Sequence, residues 1–134
     1  MRTALVSTLA MLALAGCGGG SGGGSYAQVL ATTLTSVSRP ASLDAGSLAK
    51  LAHDYSNAAD RLEKLTPPAA VAQTHAQMVT SMRAYAVDLE TASTLTTNAQ
   101  AFASQMARAQ ADAQAWTSAF EAIRARGYAT FSAS

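Results

Sequence analysis

Residues 69–126 contain neither glycine nor proline. A stretch that long without a breaker is hard to build from strands, which are short and separated by turn residues. Helical spacing fills it instead. Val71, His75, Met78, Met82, Tyr85, Leu89 and Ala92 recur at intervals of three and four, as do Phe102, Met106, Ala109, Ala113, Trp116, Phe120 and Ile123. One uninterrupted helix over the whole stretch would approach roughly 90 Å at ~1.5 Å per residue. Residues 91–98 are rich in Ser and Thr, and we place a turn there, with Thr97 or Asn98 capping the next helix. Folding back buries more apolar surface than a rod does. Gly127 is placed to stop the last helix, and Arg124 and Arg126 suit its final turn.

Two further segments precede this stretch. From Leu43 to Leu65, the residues Leu48, Leu51, Tyr55, Ala58, Leu62 and Leu65 share a stripe, with Ser42 or Asp44 as the cap and Asp60–Lys64 as an i,i+4 ion pair. Thr66-Pro67-Pro68 breaks the chain and restarts it, Thr66 capping and Pro67 taking the first helical position. A shorter helix is expected from Tyr26 to Ser38, with Tyr26, Leu30, Thr33 and Val37 on one face, Val29 and Leu34 beside them, and Arg39-Pro40 ending it. The expected fold is all-α: an antiparallel helical bundle over 26–134, three long helices plus a short N-terminal one.

Residues 1–16 read as a signal peptide. Arg2 supplies a positive start, and the apolar core from Ala4 to Leu14 is too short for a membrane span. Leu14-Ala15-Gly16-Cys17 then resembles the lipobox of bacterial lipoproteins at all four positions. That resemblance implies cleavage before Cys17, a diacylglycerol group on its sulfur whose acyl chains include palmitate, a third acyl chain on the new amino group, and an extracytoplasmic protein held to a membrane by lipid. Gly18 stands where an Asp commonly marks inner-membrane retention. The expected location is therefore the outer membrane of a two-membrane bacterium, or otherwise the cell surface. Gly18 to Ser25 is nearly all Gly and Ser, a tether with a root-mean-square reach of roughly 15 Å. The body, with Leu62…Leu65-Thr66-Pro67-Pro68 ahead of a helix carrying His75, is similar to small Ala-rich helical lipoproteins of high-GC bacteria, a likeness that implies no activity.

Charge narrows the partners. Loss of Arg2 with the leader leaves eight basic and eight acidic side chains. No basic stripe forms, so no nucleic-acid partner is expected. Only 13% of the chain is charged, against about 25% in ordinary domains. Close-packed helices, or a face that meets an envelope protein or the cell wall, would account for that. Cys17 is the only cysteine, so no intrachain disulfide forms.

The residues offer little catalytic chemistry. His75 lies on an apolar stripe with Met78 and Met82, a donor set that suits Cu(I), with Met106 as a candidate fourth ligand. The plainer account is a core histidine with one hydrogen bond and methionines filling gaps. On that account His75→Leu should be tolerated, because Leu is close in size and needs no partner. No C-x-x-C-H haem attachment is present, and neither His53 nor His75 follows a Glu by three residues as di-metal bundles require. His53-Asp54 has no nucleophile elbow beside it. Tyr85 and Trp116 are candidates to line an apolar slot. The sequence thus predicts a non-enzymatic, cofactor-free bundle serving as an interaction or structural module. Its alternative is a small-ligand or copper-binding lipoprotein using His75, Met78 and Met82.

Overall fold

The structure, a computed structural model, describes residues 26–37, 39–40 and 42–128. The leader, Cys17 and the tether lie outside the described residues. Helix α1 covers 26–35, α2 Ala45–Glu63, α3 Ala72–Ser93 and α4 Ala99–Ala125, with a 3-10 turn at Ala69–Val71 ahead of α3. No strand occurs among the described residues. The chain is an all-α bundle of three long helices and a shorter one.

Two buried clusters fix how the helices run. Tyr26 and Leu30 of α1 meet Leu62 from the end of α2, Val71 and Met78 from the start of α3, and Ile123 from the end of α4. We call this the proximal end. Leu48 and Leu51 from the start of α2 meet Leu89 and Ala92 from the end of α3 and Ala109 of α4 at the distal end. Val37, just past α1, packs against both clusters. The four helices therefore alternate in direction, and α1 covers only the proximal half.

Each long helix is bounded by identifiable chemistry. Asp44 caps α2 by accepting the Ser47 N–H at 2.8 Å, while Ser42 donates its hydroxyl to the same carboxylate. These hydrogen bonds hold Asp44 below the usual carboxylate range. Asn98 caps α4 by accepting the Ala101 N–H at 3.1 Å, so 91–98 does break the chain, with α3 ending at Ser93. Gly127, at φ +83°, ends α4: its N–H reaches the Arg124 carbonyl and that of Tyr128 reaches the Ile123 carbonyl. This is the Schellman arrangement, and it sets Tyr128 against the proximal core.

Three local expectations are corrected. Thr66 and Pro67 do not open α3; the 3-10 turn begins after Pro68 and carries no side-chain cap. Pro68 disfavours helical backbone in the residue before it, so Pro67 cannot be a first helical position. Helix α1 stops at residue 35, short of Ser38. Thr32, Thr35 and Ser36 hydroxyls donate to carbonyls three and four residues back, which weakens a helix already approaching Pro40. Asp60 does not pair with Lys64 but accepts from Arg83 of α3 at 2.9 Å. Arg83 also forks onto Glu63 at 2.8 and 2.6 Å, clamping α3 to α2. Such a fork is geometrically better than one lysine contact.

Candidate functional site

His75 sits at the first full turn of α3 and is only 5% exposed. Its Nε2 lies 2.8 Å from the carbonyl oxygen of Leu62, and its Nδ1 lies 2.8 Å from the phenol oxygen of Tyr26. A carbonyl can only accept, so Nε2 carries the proton and Nδ1 is left to accept from Tyr26. Burial pushes the Tyr26 phenol up from 10.0 to about 12, which keeps it protonated as the donor this arrangement needs. The relay Tyr26 O–H to His75 to Leu62 C=O thus joins α1, α3 and the last turn of α2. Leu62 is one of the helix-end carbonyls with no intrahelical i+4 partner, and it also accepts from Lys64 and Leu65 N–H groups. The sequence pointed to one hydrogen bond for His75; the structure gives two.

Met78 and Met82 are fully buried beside His75 in the proximal core, packed among Leu62, Val79 and Ile123. Met106 belongs to the distal cluster and is not brought to them. A metal at His75 would have to displace either Tyr26 or the Leu62 carbonyl. Among the described residues, no three His, Cys, Asp or Glu side chains converge as a metal site.

Tyr85 and Trp116 do not face each other across a slot. Tyr55 of α2 stands between them, edge-on to Tyr85 at 4.7 Å and tilted against Trp116 at 5.7 Å. The three rings join α3, α2 and α4 near mid-bundle, each pair stabilising by about 0.5–1.5 kcal/mol beyond its buried area. Desolvation raises the Tyr55 phenol to about 12. The Trp116 Nε1 is buried without a hydrogen-bond partner. On its outer side Tyr85 borders a shallow groove of about 460 Å³ with Met106, Gln110 and alanines of α4.

His53 is exposed on α2, and its neighbour Asp54 accepts from Lys50 at 2.9 Å, not from the imidazole. Across the α3–α4 seam, Gln105 donates to Asp88 at 2.7 Å. Partial burial, together with the Asp88 carboxyl beside it, raises Asp112 above the usual range. The sequence contained no cue to this acid pair, whose members lie on different helices. The relay was equally hidden, since Tyr26 and His75 are 49 residues apart. No family model matches the chain, and no curated protein or solved structure proved similar to it.

Proposed function

We propose that this chain is the precursor of a lipid-anchored cell-envelope protein whose bundle is a non-catalytic interaction or structural module. The observation that carries the reading is Leu14-Ala15-Gly16-Cys17, followed after eight residues by the first residue of α1. Its partners are the membrane, through Cys17, and an envelope protein or the cell wall. It sits outside the cytoplasm, on the outer membrane of a two-membrane cell or otherwise on the surface. The most polar buried residue, His75, has both nitrogens spent on joining helices, which supports a structural role for it. Metabolic labelling with a palmitate analogue tests the anchor. The parent should be labelled and Cys17→Ala should not; an unlabelled parent ends the reading. The competing copper reading of His75, Met78 and Met82 requires Cu(I) to raise the melting temperature of the parent, an effect lost in His75→Leu and weakened in Met78→Leu or Met82→Leu.

A further inference from the structure

Charge is unevenly divided along the bundle. The proximal half carries Arg61, Lys64, Arg83, Arg124 and Arg126 against Asp60, Glu63 and Glu121, a formal +2. The distal half carries Arg39, Lys50 and Arg108 against Asp44, Asp54, Asp88, Glu90 and Asp112, a formal −2 with histidines neutral. Every proximal acid is already held: Arg83 takes Asp60 and Glu63, and Arg124 takes Glu121. Arg61, Lys64 and Arg126 have no carboxylate partner among the described residues, and all three are exposed. Arg126 also donates to the Ala70 carbonyl at 2.6 Å, which ties the last turn of α4 to the loop that comes after Lys64.

The same pole receives the chain from Cys17. Tyr26, hydrogen-bonded to His75, starts α1 at the proximal end. The eight residues from Gly18 to Ser25 span at most about 30 Å when fully extended. A helix of 27 residues is about 40 Å long at ~1.5 Å per residue. An anchor at Cys17 therefore keeps the proximal pole within reach of the bilayer while the distal pole can stand well clear of it. We infer that the proximal pole, through Arg61, Lys64 and Arg126, is a docking surface for anionic phospholipid headgroups that holds the bundle upright with its acidic pole outward. This rests on the lipid-anchor reading above. The ionic contact acts only within a Debye length, about 8 Å at physiological salt, so it needs the anchor to bring the pole close. Each cation at an anionic surface should favour the docked orientation about five-fold, the equivalent of ~1 kcal/mol.

The lipidated mature chain, beginning at Cys17, is reconstituted in phosphatidylcholine vesicles with and without phosphatidylglycerol. A fluorophore is placed on Ala69→Cys at the proximal pole or on Thr97→Cys at the distal pole, and energy transfer to a headgroup dye is read. Acylated Cys17 has no free thiol to react. We expect phosphatidylglycerol to increase transfer from the Ala69→Cys site and decrease it from the Thr97→Cys site. High salt and Arg61→Gln/Lys64→Gln/Arg126→Gln should each abolish both changes. Arg61→Gln/Lys64→Gln, which leaves the Arg126–Ala70 contact intact, should reduce them by roughly twenty-five-fold in the docked-to-free ratio. Transfer unchanged by phosphatidylglycerol, or unchanged in the charge variants, overturns the docking surface. So does charge-dependent sedimentation with isolated cell wall in place of any vesicle response, which would reassign the pole to a wall polymer. Mass spectrometry of Cys17 separates the two claims: an unacylated chain removes the anchor and the docking together, whereas an acylated chain without orientation removes docking alone.

Discussion

At the proximal end, Tyr26 and Leu30 of α1 close over Leu62, Met78, Met82 and Ile123, all of which are fully buried. At the distal end Val37 of the preceding chain packs against the three long helices, and Phe102, Met106 and Tyr85 stay partly exposed. Leu48 and Leu89 are as buried there as any proximal residue, and both clusters have partly exposed rims, so the difference lies in the number of buried side chains among the described residues, twelve proximal against six distal. A fourth helix, even one of ten residues, converts half-covered side chains into covered ones. It does so through one aromatic residue and one leucine, with a histidine relay to fix its place. The proximal half combines packing with a buried polar relay across three helices; the distal half combines packing and capped helix ends with the part-buried Gln105–Asp88 link.

The sharpest way to break this comparison is to remove side chains from each half. Leu62→Ala should cost about 3–5 kcal/mol, the upper range for a fully buried leucine. Phe102→Ala removes more atoms but should cost less, about 1–2 kcal/mol, because part of its ring already faces water. Urea melts of the two variants decide the order; a larger loss for Phe102→Ala would mean that the distal half is the tighter one.

A smaller effect should come from the relay. His75→Leu leaves the Tyr26 hydroxyl and one acceptor site on the Leu62 carbonyl without the imidazole, costing about 1–3 kcal/mol. The expectation that Leu would be tolerated, drawn from its size and its needing no partner, leaves out the two groups that His75 itself satisfies. Tyr26→Phe should cost roughly 1 kcal/mol, and Tyr26→Phe/His75→Leu less than the two single losses added together. Strict additivity in the double-mutant cycle would show that the relay contributes no coupling.

The smallest expected effect is distal. Asp112 has its folded pKa raised, so its charged form is disfavoured in the native state. Stability is therefore fully present below the unfolded pKa of Asp, about 3.9, and falls as pH rises through it towards the folded value. Asp112→Asn should gain under about 1 kcal/mol at neutral pH and nothing at pH 3, by thermal melts at both. A gain that persists at pH 3 would show that charge is not its cause.

The periodic residues were legible because a helix reports its buried face through local spacing. Val71, His75, Met78, Met82, Leu89 and Ala92 are buried as the stripe requires, and Tyr85 on the same stripe is partly buried. The Asn98 cap and the Gly127 stop were readable for the same reason: each acts on backbone groups within a few residues. Contacts between helices were not. Spacing says that Tyr26 and His75 face inward but not that they meet, because that depends on the direction and vertical offset of α1. Asp60 illustrates the limit, since its nearest cation in sequence on the expected face is Lys64 and its actual partner is Arg83. The start of α3 is misplaced when Pro67 is weighed alone, without the restriction Pro68 places on it. The proposal of a leader and of lipidation at Cys17 rests on a motif whose meaning does not depend on the fold.

The Schellman turn at Gly127 brings Tyr128 to within 6.5 Å of Tyr26, ring centre to ring centre. The described chain therefore leaves the bundle where it entered, and the path is nearly a closed loop cut at one point. For such a path the position of the cut is a matter of genetics more than of packing. Joining the two ends with a few residues and reopening the exposed turn at 94–98 would keep every helix and its neighbours. On the lipid-anchor proposal it would also move the point of attachment to the opposite pole, so that one sequence rearrangement would invert which face of the bundle meets the surface.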